Sequence, residues 1–175
     1  QVFATYILVE KDHQLLLIDQ HAAHERILYQ ELCAKGRFQE SQTLLLPITL
    51  ELDPELIKDW EKTASFFQET GFHLEEFGGN SYLLRAVPPF LISQKGKGDW
   101  SEIVEDLLVN GDTEKDFLIS LACHGAIKAG QELTQNQMYH LVEQLLALEK
   151  ASTCPHGRPT MLAYSRRDMD RRFRR

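Results

Sequence analysis

The sequence contains few cysteines, no long apolar run and no leader-like start. Three cysteines occur among 175 residues, at Cys33, Cys123 and Cys154. An odd, sparse set argues against a disulfide framework and favours a reducing compartment, where cysteine and histidine at close spacing are more typical of metal ligands. No apolar stretch approaches the roughly 20 residues that a membrane span needs, and no signal-peptide pattern is present. We therefore expect a cytoplasmic protein without a membrane segment.

The chain has enough residues for one compact domain or two small lobes, and its hydrophobic content of 43% is ordinary for a globular protein. It opens on Gln1 rather than on a methionine and continues directly into a predicted strand. We therefore expect it to be a piece of a longer protein.

Basic charge is scarce over most of the chain. The net charge is -7, whereas a protein that binds duplex DNA usually has a basic surface. The last ten residues hold six arginines against two aspartates, so they carry +4 and the preceding 165 residues carry -11. Such a domain would bind DNA weakly unless something else held it there.

Hydrophobic periodicity predicts a mixture of strands and helices. The predicted strands are 3–9, 14–18, 44–52, 72–77, 80–88 and 161–165. The predicted helices are 20–36 with a stop at Gly36, 53–71, 100–109, 114–129, about 134–148 with a Thr134–Gln137 capping box, and a short terminal helix from Ser165. A flexible loop is predicted at 95–99. The elements do not alternate regularly, so the predicted class is α+β.

His21 and Glu25 stand one helical turn apart, directly after a predicted buried strand. The i, i+4 spacing directs both side chains to one point, as in helical zinc sites. A single pair of this kind is more often a solvated face or a capped polar pair, so the spacing alone does not decide between the two interpretations.

Cys154-Pro155-His156 places two soft ligands on a stiff backbone, and Gly157 lets the chain turn away. The alternative is a buried cysteine beside a surface histidine. Cys123 lies in an apolar helical segment, where a cysteine is often simply part of the core.

Three runs in order, DQHAAHERILYQE (19–31), ACHGAIKAG (122–130) and CPHGRP (154–159), resemble the C-terminal domain of MutL DNA mismatch-repair proteins, and QVFATYILVE resembles its first strand. The resemblance spans nearly the whole chain. It implies a two-lobed fold and a homodimer. Residues 1–40 plus 132–175 would form the dimerisation lobe that bears the metal site, and residues 41–131 an inserted external, regulatory lobe.

The resemblance also implies a metal-dependent endonuclease that nicks duplex DNA. Its signature is matched by the run from Asp19 to Ala22 and by Glu25, but the final glutamate of the signature is Gln30 here. Glu31 does not replace it, because one residue rotates a helical side chain by about 100°. The implied metal ligands are His21, Glu25, Cys123, Cys154 and His156, and the implied catalytic residues are Asp19, His21 and Glu25.

Thiolate and imidazole favour zinc, whereas carboxylates favour magnesium or manganese. We therefore expect an organising zinc held by Glu25, Cys123, Cys154 and His156, and a more exposed catalytic manganese or magnesium near Asp19 and His21. The alternative interpretation of Asp19 is a helix N-cap, which any aspartate at a strand–helix junction could be.

The run Gln42-Thr-Leu44-Leu45-Leu-Pro47 follows the pattern of peptides that dock into the bacterial sliding clamp, and the resemblance implies that partner. A buried strand is the alternative interpretation. A clamp tether would raise the effective concentration at DNA and offset the acidic charge. A mismatch-recognition protein is implied as a partner of the full-length chain, which would carry an ATPase region elsewhere.

Arg158 is a candidate phosphate contact, and pairing with Asp19 or Glu25 is its alternative. Arg171 and Arg172 are candidate DNA-backbone contacts or simply solvated charges. The main rival function is a non-catalytic dimerisation and partner-docking module with a structural zinc, which would not need Asp19. A small-molecule hydrolase is disfavoured, because no ligand-pocket motif accompanies the site.

Overall fold

The computed structural model describes residues 1–35, 40–57, 60–94, 100–111 and 113–175. The chain forms two compact units, one of Gln1–Gln30 with Ala126–Arg175 and the other of Glu31–Gly125. Each unit contains a three-stranded antiparallel sheet together with helices, so the predicted α+β class is confirmed. The functional roles and bounds predicted for the two lobes stay predictions. The predicted stop at Gly36 and the predicted loop at 95–99 lie outside the described residues.

The elements follow in chain order as β1 (Tyr6–Lys11), β2 (Gln14–Asp19), α1 (Gln20–Lys35), β3 (Gln42–Glu51), α2 (Trp60–Glu69), β4 (His73–Gly78), β5 (Ser81–Val87), α3 (Pro89–Gln94), α4 (Trp100–Asn110), α5 (Glu114–Gly125), α6 (Gln135–Ala147), β6 (Met161–Ser165) and α7 (Arg166–Arg172). No helix among these described segments is long and apolar enough to cross a membrane.

In the first unit the sheet order is β1-β2-β6, with β2 in the middle. Asp12 and His13 join β1 to β2 with φ of 49° and 60°, the left-handed conformation that both central residues of a type I′ hairpin turn require. The prediction that β1 begins at residue 3 was wrong. Phe3 and Ala4 also have positive φ, 54° and 46°, and the chain turns back there, with the amide of Tyr6 donating to the carbonyl of Val2 at 3.0 Å.

One face of this sheet packs against α1 and α6. Ile7, Leu16 and Ile18 on the strands meet helix residues of α1 and α6, and together they form the core of the unit. The predicted capping box at the start of α6 is confirmed, because Thr134 and Gln137 exchange side-chain to backbone hydrogen bonds. This packing fixes α1, and with it the first candidate ligands, against the sheet.

The prediction that α5 continues to residue 129 was wrong, since it ends at Gly125. The next residues are held by α1 instead. The amide of Ile127 donates to Nδ1 of His24 at 2.9 Å, and its carbonyl lies 2.9 Å from Nδ1 of His21. Both polar backbone groups of Ile127 are therefore bound to histidine rings.

In the second unit the sheet order is β3-β5-β4. Pro47 lies on an edge strand beside an irregularity, because β3 stands at the end of the sheet order and its register with β5 shifts between Thr43 and Ile48. The predicted helix start at 53 was wrong. Asp53 accepts from the amide of Glu55 at 2.9 Å in a tight turn, and α2 begins at Trp60. Helix α3 was not predicted at all.

Candidate metal centre

Asp19 ends β2 and caps α1. Its Oδ1 accepts hydrogen bonds from the backbone amides of His21 at 2.9 Å and Ala22 at 3.0 Å. These amides are among the four at a helix start that have no partner inside the helix. The N-cap interpretation of Asp19 is confirmed, and its catalytic role stays a prediction.

Gln20 is a structural residue that sequence reasoning missed. Its side chain is fully buried, and Nε2 lies 2.9–3.0 Å from the carbonyls of Ala4, Lys128 and Gln131. An amide nitrogen has two protons for these three acceptors. Through these hydrogen bonds Gln20 holds the N-terminal turn and the segment after Ile127 against the start of α1. A glutamine in a polar motif gives no sequence signal of such burial.

His24 was missed as well. Its ring accepts the Ile127 amide through Nδ1, so the proton of the neutral ring lies on Nε2. Burial, with a smaller effect of His21, lowers the pKa of His24 to about 4. His24 is therefore a neutral ring that anchors the backbone facing the candidate ligands.

The core of the candidate site is the pair His21 and Glu25 on α1. Nε2 of His21 lies 3.0 Å from Oε1 of Glu25, whose side chain is fully buried. Burial by itself would raise the pKa of the Glu25 carboxyl. Interactions with His21 and Arg158 outweigh that effect and lower it to about 2. Glu25 is therefore a buried carboxylate that remains negatively charged.

The ring of His21 is oriented by the carbonyl of Ile127, 2.9 Å from Nδ1. A carbonyl oxygen only accepts, so the proton must be on Nδ1. In the neutral ring, Nε2 then presents a bare lone pair to Oε1 of Glu25, a buried oxygen that has no other hydrogen-bond partner among the described residues. Two electron-rich atoms 3.0 Å apart require a proton or a cation between them. A metal-binding histidine typically has this arrangement, with Nδ1 on a carbonyl and Nε2 free to bind.

The second oxygen of Glu25 faces the loop before β6. Oε2 accepts from Nη2 of Arg158 at 2.7 Å and lies 3.6 Å from Nδ1 of His156. Cys154 and Glu25 both raise the pKa of the Arg158 guanidinium. Of the two roles predicted for Arg158, pairing with Glu25 is therefore confirmed, and a phosphate contact stays a prediction.

Cys154, His156 and Gly157 lie in a tight hairpin loop. The amide of Gly157 donates to the carbonyl of Cys154 at 2.9 Å, and the amide of Cys154 donates to the carbonyl of Arg158 at 2.8 Å. Gly157 has a φ of 81°, a left-handed conformation that suits glycine. The loop thereby holds a buried thiol and an exposed imidazole close to Glu25.

The ligand atoms of Glu25, Cys154 and His156 all lie within 4.8 Å of one another. Tetrahedral zinc with bonds of about 2.0–2.3 Å separates its ligands by about 3.3–3.8 Å. Side-chain adjustments of about an ångström would therefore complete the geometry. One sulfur, one nitrogen and one buried charged oxygen are a donor set that fits zinc.

Cys123 lies on α5 in the second unit and is half-buried. Its place in the ligand set stays a prediction. Gln30, which replaces the glutamate of the signature, accepts from Nη2 of Arg26 at 3.3 Å. Position 30 therefore contacts a buried arginine, and it is not among the residues that the structure groups with Glu25 as candidate ligands.

The predicted clamp-docking run lies on β3. Leu45 is 98% exposed and Leu46 is 76% exposed, while Gln42 and Pro47 are exposed and Leu44 is half-buried. The buried-strand alternative is wrong for Leu45 and Leu46, whose side chains contribute little to any core.

The two arginines proposed for DNA contact lie on α7. Arg171 and Arg172 are both exposed, and Nη2 of Arg171 lies 3.6 Å from Oδ1 of Asp168. Exposed ion pairs of this kind contribute little stability, so both side chains can contact an anionic partner at low cost.

The sequence matches the family described as MutL C terminal dimerisation domain over residues 1–133. The DNA mismatch repair protein MutL of Heliobacterium modesticaldum is 41% identical over 182 residues, which cover 98% of this chain and 27% of that protein. The protein of the same name from Methanoculleus marisnigri is 39% identical over 182 residues, covering 100% of this chain and 31% of its own length. The protein of the same name from Caldanaerobacter subterraneus subsp. tengcongensis is 36% identical over 184 residues, which cover 99% of this chain and 30% of that protein. The chain thus spans less than a third of the length of these relatives.

Proposed function

This chain belongs to the MutL C-terminal dimerisation domain family, and we propose that it is the metal-dependent endonuclease and homodimerisation part of a DNA mismatch-repair MutL protein. Its activity would be the nicking of duplex DNA. The observation that carries the proposal is the buried, charged carboxylate of Glu25. The ring of His21 lies on one side of it, and the loop of Cys154 and His156 lies on the other. A module used for dimerisation alone would not need a buried anion that faces a thiol and two imidazoles.

Zinc would be held by Glu25, Cys154 and His156, with His21 as the ligand whose orientation is fixed by Ile127. A manganese or magnesium ion is proposed beside Asp19. Bound divalent ions would activate water and neutralise charge on the phosphate. Asp19 uses Oδ1 for the cap of α1, so we assign Oδ2 to the catalytic role. His24 and Gln20 hold the backbone that orients the ring of His21.

Arg158 has a different role in the proposal. Its guanidinium neutralises the buried charge of Glu25 through a 2.7 Å contact, which removes the cost of leaving that charge unpaired. A metal ion bound to the same carboxylate would release the arginine, whose side chain is 54% exposed. A released guanidinium beside the site could bind a DNA phosphate in a bidentate manner.

The experiment that tests the activity compares Asp19→Asn with Asp19→Ala. Asparagine keeps an oxygen that caps the helix but removes the charge, whereas alanine removes both. We expect both variants to lose nicking of supercoiled DNA in manganese. Only the alanine variant should also lose about 1 kcal/mol of stability.

Nicking by well-folded Asp19→Asn at the wild-type rate would favour the rival function, a non-catalytic dimerisation and docking module with a structural zinc.

Cys154→Ser and His156→Ala test the zinc separately. Each should lower both the bound zinc and the melting temperature, because metal binding stabilises the folded state. Cys33→Ser is the matched control, since Cys33 is an exposed cysteine. Unchanged zinc content in both loop variants would contradict the site.

We also propose that the β3 run docks into the bacterial sliding clamp. The supporting observation is the exposure of Leu45 and Leu46 on an edge strand, since isolated apolar side chains of this size suit insertion into a partner groove. Clamp tethering would offset the net charge of -7. The mismatch-recognition protein and the ATPase region belong to the longer relatives, and we propose them only for the full-length chain.

A further inference from the structure

The turn before β1 holds an aromatic residue in solvent. Phe3 and Ala4 have φ of 54° and 46°, in the left-handed region that residues with a Cβ rarely adopt. Phe3 is 85% exposed. In a strand that ran straight from residue 3, Phe3 would share a face with Ile7, which is buried in the core. The turn therefore keeps out of the core an aromatic side chain that the sequence pattern would place there.

Hydrogen bonds hold this turn in place. The carbonyl of Ala4 accepts from Nε2 of Gln20 and from the amide of Gly130, both at 2.9 Å. The carbonyl of Phe3 accepts from Oγ1 of Thr5, also at 2.9 Å. Residues with a Cβ remain in the left-handed region only where their surroundings impose it, and such positions cluster at functional sites. The exposure of Phe3 is thus a fixed feature of the fold, for which a function is expected.

The turn lies beside the residue proposed for catalysis. The carbonyl of Thr5 accepts from the amide of Gln20 at 3.0 Å, and Tyr6 is paired with Asp19 in the register of β1 with β2. Phe3 is two residues from Thr5, so their Cα atoms are at most about 7.6 Å apart. Phe3 therefore lies close to the junction at which β2 ends and α1 begins.

A cation lies at the same junction. The carbonyl of Lys128 is 3.0 Å from Nε2 of Gln20, the atom that also binds Ala4, and Lys128 is exposed. The pKa of His21 is raised mainly by its hydrogen bond with Glu25, and the charge of Lys128 opposes that rise. The ammonium group is therefore close to the candidate metal centre, so an exposed ring and a cation both lie beside the start of α1.

We infer that Phe3 contacts the bases of duplex DNA and that Lys128 contacts a phosphate of the same duplex. The inference rests on the proposed function, because it concerns the DNA that would be nicked beside Asp19. Apolar side chains inserted from the minor groove separate two stacked base pairs and kink the duplex. An aromatic ring stacks on any base, so the contact needs no particular sequence. The kink would lie close to the phosphate that is cut.

An apolar contact of this kind suits an acidic chain. Acidic residues outnumber lysine and arginine here, 26 against 19, whereas non-specific affinity for DNA comes mostly from basic side chains that release counterions. A ring placed against bases releases no counterion, so its contribution does not decrease as salt increases. Phe3 and Lys128 should therefore have different salt signatures in DNA binding.

The test measures binding of the 175-residue chain to a labelled duplex by fluorescence anisotropy, between about 50 and 200 mM salt. All variants carry Asp19→Asn, so that no nicking is expected. Adding Phe3→Ala should weaken binding about tenfold at every salt concentration, with an unchanged slope of log affinity against log salt. Adding Lys128→Gln should reduce that slope by about 0.9, the value for one phosphate contact.

Phe77→Ala is the matched control, because Phe77 is 65% exposed but lies in the other unit. It should leave the affinity unchanged. Phe3→Trp keeps an aromatic ring and should retain the affinity. Phe3→Gly separates the ring from the turn, since glycine adopts a φ of 54° without strain. The melting temperature should then rise, while the affinity should fall as in Phe3→Ala.

A second measurement detects the separation of bases directly. The fluorescence of 2-aminopurine in the duplex increases when that base loses its stacking, so it should increase on binding of the Asp19→Asn chain. It should stay low when Phe3→Ala is added at a protein concentration that saturates the duplex. An equal increase with and without the ring of Phe3 would overturn the inference.

Several other results would also overturn it. These are an unchanged affinity in folded Phe3→Ala and a chain that does not bind the duplex at all. A lower melting temperature in Phe3→Ala would place Phe3 in the core, and weaker self-association in sedimentation would place it between two copies. Nicking by the chain with native Asp19 is measured separately. Loss of affinity in Phe3→Ala without any nicking by the native chain would overturn the proposed activity and leave the base contact standing.

Discussion

Nε2 of His21 lies 3.0 Å from Oε1 of Glu25, while the opposite nitrogen of the same ring lies 2.9 Å from the carbonyl of Ile127. In the metal-free protein this geometry is satisfied by a charged imidazolium that donates in both directions. The hydrogen bond with Glu25 raises the pKa of His21 above 6.5, against the lowering effect of its partial burial. A proton and the proposed metal ion would therefore compete for Nε2 of His21.

The first prediction concerns the pH dependence of stability. A raised pKa in the folded state means that the stabilisation is fully present below pH 6.5 and is lost as the pH rises through the folded pKa. In the presence of a chelator, the melting temperature should fall as the pH rises above 6.5, and it should fall more steeply for wild type than for His21→Gln. The stabilisation by added zinc should increase over the same range, because zinc displaces the proton.

His140→Gln is the control for this measurement, since His140 lies on the exposed side of α6 with its side chain 70% accessible. It should retain the wild-type slope. If the melting temperature of His21→Gln depends on pH as steeply as that of wild type, the ring of His21 does not change protonation in this range. Competition between proton and metal would then not explain the pH dependence of stability.

The strand at Met161–Ser165 could be predicted to the residue because alternation and flanking turn residues define it locally. The capping box at Thr134 depends on three neighbouring positions and was equally accessible. By contrast, the backbone of Ile127, just after α5 ends at Gly125, is held by the rings of His21 and His24, which lie about 100 residues earlier in the chain. Periodicity contains no information about such contacts.

In the candidate site, too, the sequence predicted local features but not the contacts between distant segments. The spacing of His21 and Glu25, and that of Cys154 and His156, each allowed a local ligand pair but left a structural alternative open. The approach of the second pair to Glu25 depends on the pairing of β2 with β6, which a spacing does not reveal. The resemblance to MutL proteins supplied that connection. The resemblance did not predict the contact of Arg158 with Glu25. From the sequence, Arg158 could equally contact a phosphate or pair with Asp19.

The second prediction concerns Arg158. Arg158→Ala removes the 2.7 Å contact to Glu25, so the buried carboxylate keeps only His21 of the two partners that lower its pKa, and the metal-free melting temperature should fall. Zinc no longer has to displace a guanidinium, so its affinity should increase, which is opposite to the loss expected if Arg158 supported Glu25 as a metal ligand. Isothermal titration with zinc measures this directly.

Arg172→Ala is the matched control, because it removes an exposed arginine on α7 and should change neither quantity. Weaker zinc binding by Arg158→Ala would show that the arginine positions Glu25 for the ion instead of competing with it.

The third prediction concerns Gln30, the departure from the family signature. Arg26 is 9% exposed, and its Nε has no hydrogen-bond partner within the described part of the chain. Gln30→Glu would provide a charged acceptor one turn away, so the free energy of unfolding should rise by about 1 kcal/mol. Thermal melting and zinc analysis would be measured together, with the exposed neighbour Glu31→Gln as control. Zinc content should be unchanged, and an increase would mean that position 30 contributes to the metal site.

The last prediction separates clamp docking from folding on β3. Leu45→Ala with Leu46→Ala should lower the affinity for the bacterial sliding clamp at least tenfold, since apolar anchors dominate such interfaces. The melting temperature should stay unchanged, because these side chains are 98% and 76% exposed. Gln42→Ala should also weaken clamp binding without changing stability. Leu44→Ala is a poorer test, since Leu44 is half-buried and its loss should lower the melting temperature by itself.

Val109→Ala is the control for exposure alone, because Val109 is 54% exposed on α4 of the same unit. Nicking without the clamp should persist in the Leu45/Leu46 variant, while stimulation by the clamp should disappear. An unchanged clamp affinity in this folded variant would remove the clamp from the proposal. The net charge of -7 would then have to be offset by other residues. The exposed arginines of α7 would be the first to test. The measurement would be the salt dependence of DNA binding by Arg171→Ala and Arg172→Ala.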